Sequence, residues 1–268
     1  MKVSEQLALN YSVVEEEICD FIKREVKDRG VVFGLSGGVD SSTIAALSVK
    51  ALGKDRILAL IMPEASSTPV SDEEDAIELA RMLEIRYKKI DITEAVEWVL
   101  RAFSRKGDKI AEGNVKARMR MIILYYMANL ERRIVLGSGD RSELLIGYFT
   151  KYGDGGVDIL PLGGLFKTQV RQLAKHIGIP ERIASKRSSP RLWPGHRAED
   201  ELGMSYEDID IILHLYADLG YSQKKIVEEL GPAHRERVEK VMKRIVENTH
   251  KLSKPPAAKI SSKAILRC

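Results

Sequence analysis

Residues 31–42 constrain this chain more than any other stretch. Val31-Val32-Phe33 is a short apolar, β-branched run. It enters Gly34-Leu35-Ser36-Gly37-Gly38-Val39-Asp40-Ser41-Ser42, and a helical pattern over 43–52 leaves it. A strand feeding a glycine turn that opens a helix gathers backbone N–H groups and the positive end of a helix dipole at one point, which suits an anion. Adjacent glycines let a ligand approach the backbone with no Cβ in the way. Ser36, Ser41 and Ser42 add hydroxyl donors. Asp40 adds a carboxylate, and a carboxylate beside a phosphate cradle makes sense if a divalent cation lies between them. The stretch holds neither Gly-x-x-x-x-Gly-Lys-Ser/Thr nor Gly-x-Gly-x-x-Gly, so it is neither a Walker A loop nor the dinucleotide fingerprint.

The rest of the chain arranges itself around this turn. Residues 4–29 read as an amphipathic helix with Leu7, Val14, Ile18, Phe21, Ile22 and Val26 as its stripe, ended by Gly30. Residues 57–62 form a second buried strand, and strand, helix, strand implies a right-handed parallel crossover. Ligands in such sheets bind beyond the carboxyl ends of the strands, which makes 63–69 a rim loop. Ser71 and Glu74 have capping-box spacing, and the acidic run Asp72-Glu73-Glu74-Asp75 suits a first helical turn better than a metal. A third strand over 87–92 and a helix over 93–105 follow. The next helix, 114–130, carries Lys116, Arg118 and Arg120 near its start. A basic first turn opposes the helix dipole and points to an anionic ligand or an acidic neighbour, although a solvated face accounts for it equally.

A strand over 133–137 then runs into Ser138-Gly139-Asp140-Arg141-Ser142-Glu143 and repeats the opening logic, so Glu143 could share a cation with Asp40. Residues 149–158 form a polar, glycine-dense loop with carboxylates and a lysine, and long polar loops are usually functional. Lys167 opens a helix to His176. Residues 185–196 mix basic, small and proline residues and read as a lid. Helices are expected over 206–219, 222–230 and 232–248. The fold class is therefore α/β, a doubly wound parallel sheet flanked by helices, with residues 1–204 as the α/β domain and 205–268 as a small helical extension. The chain has 43 basic and 39 acidic residues, and a net charge of +4 is too small to argue for nucleic acid. Cys19 and Cys268 lack metal or disulfide spacing. No run approaches the ~18 apolar residues of a membrane span and no leader segment is visible, so the cytoplasm is the expected compartment.

Ser36-Gly37-Gly38-Val39-Asp40-Ser41-Ser42 resembles the pyrophosphate loop of the N-type ATP pyrophosphatases, which split ATP between its α and β phosphates. The later motifs narrow this. Leu136 to Glu143 (LGSGDRSE), then Gly147 to Asp158 (GYFTKYGDGGVD), then Pro161-Leu162, Lys167 and Gln169 resemble the NAD synthetases, in the short, ammonia-dependent, archaeal-type form. The resemblance implies that deamido-NAD, ammonia and ATP give NAD, AMP and pyrophosphate through an acyl-adenylate. It implies that Gly34, Leu35, Ser36, Gly37, Gly38, Val39, Asp40 and Ser41 hold ATP with Ser138, Lys167 and Ser189, and that Asp40 and Glu143 hold Mg²⁺. It places Arg118, Lys151, Asp158, His250 and Lys251 on deamido-NAD, at the interface of a homodimer. Asp40, Lys167 and Asp158 become the catalytic set, with Lys186 a further cation for the pyrophosphate. Pro190-Arg191 depart from the family pattern, which has a small residue followed by Gly or Asp. The remaining readings are another amide-forming or tRNA-modifying pyrophosphatase and a nucleotide-binding sensor without turnover.

Overall fold

The computed structural model describes residues 7–103 and 107–260. Four parallel strands, β1 (Gly30–Gly34), β2 (Ile57–Ile61), β3 (Arg86–Lys89) and β4 (Arg133–Val135), lie in the order β3-β2-β1-β4. Val31 pairs with both Ile57 and Ile134, so β1 is central and its carboxyl end opens between β2 and β4. Parallel strands need crossovers, and helices on both faces supply them. On one face α1 (Tyr11–Val26), α2 (Val39–Leu52) and α3 (Val70–Met82) cover Val31, Phe33, Ile57, Ala59 and Ile61. On the other, α4 (Thr93–Arg101) and α5 (Lys109–Glu131) cover Val32, Leu58, Leu60 and Val135. Alternate residues of one strand thus enter two cores, which is why the strands read as unbroken apolar runs. This is the expected doubly wound sheet.

After β4 come α6 (Arg141–Ile146), α7 (Lys167–His176), the short α8 (Glu181–Ala184) and α9 (Ala198–Leu202), then α10 (Tyr206–Leu213), α11 (Gln223–Leu230) and α12 (Arg235–Leu252). A separate core gathers Leu7, Ile146 and Phe166 with residues 198–241, including Tyr206, Ile212, Ile226 and Val238. Among the described residues no helix is long and apolar enough to cross a membrane.

Several element boundaries differ from expectation. Helix α1 starts only at Tyr11, because Asn10 caps it by accepting from the Val13 N–H, and Lys27 at φ 54° stops it before Gly30, which opens β1. Leu7 therefore lies outside the helix and packs in the separate core. Helix α2 begins at Val39, so Asp40 and Ser41 stand in its first turn. The Ser71–Glu74 capping box is not formed: Pro69 sits at the boundary of α3, with its ring fixing the entry angle. The acidic run instead meets basic partners, Asp72 with Lys186 and Arg191, Glu73 with Lys89, and Asp75 with Lys186 and Arg182. Helix α5 begins five residues early, capped by Asp108, whose Oδ1 lies 2.7 Å from the Ala111 N–H. Lys116, Arg118 and Arg120 consequently stand at or beyond the end of the second turn, and the dipole argument for an anion there lapses. Helix α4 ends at Arg101, short of the expected 105, with Ala102 and Phe103 already in a turn; 104–105, like Cys268, lie outside the described residues.

Candidate active site

Two strand-to-helix turns meet at the carboxyl edge of the sheet. In the first, Leu35 donates to the Leu60 carbonyl and carries β1 into the glycine turn. Gly37 takes a positive φ of 73°. The Ser36 and Ser41 hydroxyls lie 3.0 Å apart, and the Gly38 N–H donates to Ser36 Oγ at 3.3 Å. The hydroxyls therefore shape the loop from within. In the second turn, Asp140 caps α6: its Oδ1 accepts from the Glu143 N–H at 2.9 Å, and its own N–H donates to Glu143 Oε2 at 3.3 Å.

Lys167, the first residue of α7, joins the two turns. Its Nζ lies 2.9 Å from Asp40 Oδ2, 2.9 Å from Glu143 Oε1 and 2.7 Å from Asp140 Oδ2, and the side chain is fully buried. Three carboxylates and one ammonium leave the cluster with a formal excess of two negative charges. Burial, and then the charge of Asp140, hold the Glu143 carboxyl well above the usual range. Burial likewise raises Asp140. Burial alone would lower Lys167, but Asp140, Asp40 and Glu143 outweigh it and push its ammonium well up. Asp40 Oδ1 is buried without a hydrogen-bond partner. Among the described residues no three His, Cys, Asp or Glu side chains form a ready-made metal cage, because these carboxylates are drawn onto the ammonium instead.

The separate core braces this cluster from behind. Asp210 of α10 accepts from Ser142 Oγ at 2.5 Å and from the Thr168 N–H at 2.8 Å, while Ser142 Oγ accepts from the Lys167 N–H at 2.9 Å. The starts of α6 and α7 are thereby tied together. Burial lifts the Asp210 carboxyl to about 6 even against those donors.

A second group of expected site residues surrounds the 147–158 loop. Arg118 Nε donates to the Lys151 carbonyl at 3.3 Å, and Lys151 Nζ donates to the His250 carbonyl at 2.8 Å. Lys251 Nζ reaches the carbonyls of Gly147 (2.6 Å) and Phe149 (3.0 Å), and burial lowers its ammonium. Asp158 stands beneath the loop with both oxygens engaged. Its Oδ2 accepts from the Val135 N–H at 2.8 Å and its Oδ1 from Tyr125 at 3.0 Å, and burial and then this carboxylate push the Tyr125 hydroxyl up to about 12. Ser138 lies part-buried between β4 and Asp140. Ser189 Oγ donates to the His196 carbonyl within the 185–197 segment. Among the described residues no hydrogen bond links Ser138 or Ser189 to the Asp40 cluster.

Residues beyond the expected set also shape this edge. Asp140 is one, and its Asp-x-x-Glu spacing to Glu143 is a capping-box signal in the sequence. Another is a buried pair on the rim after β2, where Lys116 Nζ lies 2.6 Å from Glu64 Oε2, with the Ser66 and Ser67 hydroxyls also around Glu64. Burial would raise Glu64, but Lys116 and the two serines outweigh it and hold its carboxyl down at about 2. The pair's stabilisation is therefore complete above the usual glutamate range and fades as pH falls through about 2. Lys116→Met is expected to lower stability by about 3–5 kcal/mol at neutral pH, since it strands a buried carboxylate. Part of this loss should be recovered near pH 4, because without Lys116 burial raises the Glu64 carboxyl and lets it take up a proton. Urea unfolding at the two pH values checks both points.

A parallel α/β sheet with a glycine turn and an acidic cluster at its carboxyl edge places these groups where proteins of the doubly wound class take their ligands. Residues 14–255 match the family model for NAD synthase, and the chain belongs to that family. It is 51% identical over 258 residues to the NH(3)-dependent NAD(+) synthetase of Hyperthermus butylicus, covering 95% of this chain and 93% of that one. Among solved structures it resembles the NMN synthetase of Francisella tularensis (TM-score 0.82, 32% identity, 94% of this chain and all of that one). It also resembles the NH3-dependent NAD synthetase of Campylobacter jejuni (TM-score 0.78, 31% identity, the same coverage).

Proposed function

We propose that this protein joins ammonia to deamido-NAD at the expense of ATP, forming NAD, AMP and pyrophosphate in the last step of NAD biosynthesis. The observation that carries the reading is the pairing of a glycine turn with three carboxylates on one buried lysine, in a chain half identical to an NH(3)-dependent NAD(+) synthetase along almost its whole length. The chemistry needs two steps. A nicotinate carboxylate oxygen attacks the α-phosphorus of ATP, and pyrophosphate leaves with the electron pair of the broken P–O bond. Ammonia then attacks the acyl carbon, loses a proton, and AMP leaves as the amide forms. Adenylation converts a poor leaving oxygen into part of AMP, so no covalent enzyme intermediate is required.

In this reading the residues 34–41 turn, Ser138, Lys167 and Ser189 hold ATP. The residues present fit Mg²⁺: Asp40 and Glu143 are hard oxygen donors gathered on one buried ammonium, and Asp40 Oδ1 is buried and unpaired. When bound, the ion would neutralise charge developing on the phosphates. Lys167 holds the carboxylates together before the nucleotide enters and then offers its ammonium to the leaving pyrophosphate. Arg118, Lys151, His250 and Lys251 take the dinucleotide. Asp158, whose oxygens already accept two donors, orients that loop and the approach of ammonia. A homodimer would cover the exposed Ile122, Tyr126 and Leu130, which recur every four residues on α5, together with Trp98 of α4. The cytoplasm suits such an enzyme.

Incubation with ATP, Mg²⁺, ammonium and deamido-NAD tests the reading, with NAD and AMP as the expected products. ADP in place of AMP, or no NAD, would sink it. The Francisella likeness favours a second reading, in which the acceptor is the mononucleotide and the product NMN; a parallel incubation with nicotinate mononucleotide separates the two. Arg118→Ala is expected to raise the KM for deamido-NAD about tenfold or more while leaving that for ATP within about twofold, because the lost contact serves one substrate only. Equal changes in both would mark a structural arginine.

A further inference from the structure

Residues 185–197 form a strap across the carboxyl edge of the sheet, fastened on both banks. On one bank Lys186 Nζ donates to the Gly37 carbonyl at 2.9 Å, to Asp72 Oδ1 at 2.9 Å and to Asp75 Oδ2 at 2.6 Å. Arg191 Nε donates to the other oxygen of the same carboxylate, Asp72 Oδ2, at 2.6 Å. On the other bank Leu192 lies over Gly113 of α5, so close that a Cβ there would stand 2.8 Å from Leu192 Cβ. Lys109 Nζ lies 5.0 Å over the Trp193 ring, which stacks on His196 at 3.4 Å. His196 Nε2 in turn lies 2.8 Å from Glu201 and 3.2 Å from the Tyr148 hydroxyl.

Asp72 is the common fastening. It is buried in the first turn of α3, and its own carbonyl presses on Gly37. One carboxylate thus holds two cations from the strap while its backbone forms the wall of the glycine turn. Arg191 sits at φ 52°, a conformation unfavourable for a residue with a Cβ, and its ion pair with Asp72 holds it there. A charge-assisted pair with one partner buried is stronger than a surface pair.

We propose that Asp72 is a positioning residue for the ATP half of the site: by binding Lys186 and Arg191 together it clamps the strap onto the glycine turn before ATP arrives. This rests on the reading of that turn as the ATP phosphate cradle. With the clamp in place, ATP meets Ser189 and Lys186 already assembled. Without it, ATP binding must also order the strap, and the apparent affinity falls by the fraction of molecules in which the strap is closed.

The test compares Asp72→Asn, Arg191→Gln and the double variant with the wild-type protein. If the clamp holds the strap closed, freeing it to close only a tenth of the time raises the KM for ATP about tenfold, with kcat at saturating ATP within about twofold. Arg191→Gln moves the same way, and the double variant is no worse than Asp72→Asn, because the two residues act through one contact. Trp193 gives a readout without substrate. Its emission, obtained by subtracting the matched Trp193→Phe protein to remove Trp98, shifts to the red in both single variants as the ring leaves His196. An unchanged or lowered KM for ATP together with unmoved emission overturns the proposal. So does an equal rise in both substrate KM values with a fall in kcat, which would mark general loosening. If Asp72→Asn fails to fold, Arg191→Gln decides, since that side chain is 27% exposed. Were the wild-type protein to make no NAD, the functional reading would fail while the emission arm still decided the strap.

Discussion

Asp40→Asn is expected to reduce NAD formation by about a thousandfold, with the fold intact, because removing one preorganised charge-stabilising group at an adenylating centre typically costs two to three powers of ten. Its carboxylate stands in the first turn of α2, where one oxygen meets Lys167 and the other is buried without a partner. A buried oxygen left unpaired is costly unless something supplies a charge to meet it. In the proposed mechanism a divalent cation does so, and the asparagine amide would present it with a neutral donor in place of an anion. The variant should still fold. Lys167 keeps Asp140 and Glu143, and the cluster sheds one of its two surplus negative charges, so the unfolding temperature should hold or rise slightly. Steady-state assays with calorimetric unfolding check both halves of the expectation. Retention of more than a tenth of the activity would remove Asp40 from the metal site.

The first of the two turns was legible because its signals are local. A strand buried on both faces is a continuous apolar run, and two adjacent glycines before a helix leave few alternatives to a cradle. The parallel crossover from β1 to β2 was legible as well, whereas the order β3-β2-β1-β4 was not. What stayed hidden depends on partners distant in the chain. For Lys116 the sequence left an anionic ligand, an acidic neighbour and a solvated face open, and only the packing of α5 against the rim after β2 names the neighbour as Glu64, 52 residues away and at 2.6 Å. The run Asp72 to Asp75 reads as dipole chemistry, yet its charges serve Lys186, Arg191 and Arg182, more than a hundred residues on. Lys167 was visible as the first residue of a helix, but its complete burial was not. That burial results from two turns and from Asp210 of the separate core, which ties the starts of α6 and α7. Sequence patterns register which face of a helix is apolar; they do not register which charges the topology will bring opposite one another.

Gly37→Ala should be the most damaging of the conservative changes, and two separable causes combine in it. Gly37 has φ 73°, so an alanine there carries the backbone strain of a left-handed residue, about 1–2 kcal/mol. Its methyl group would also stand 2.1 Å from the Asp72 carbonyl oxygen and 3.0 Å from that carbonyl carbon, both backbone atoms that cannot rotate away. Either α3 retreats or the turn collapses into the space proposed for the phosphates. Retreat of α3 carries Asp72 away from Lys186 and Arg191, so the strap loosens as well. Gly203→Ala separates the causes. Gly203 has φ 71° and closes α9 in the left-handed region, but a Cβ there would meet nothing within 4 Å. That variant should lose only about 1–2 kcal/mol of stability and keep its turnover, because it carries the strain without the clash. Gly37→Ala should lose more stability than this and fall about a hundredfold or more in ATP-dependent turnover, the scale on which small misplacements of reacting groups act. Equal stability losses in the two variants, with turnover retained in both, would mean that the contact between the glycine turn and α3 is not what shapes the cradle.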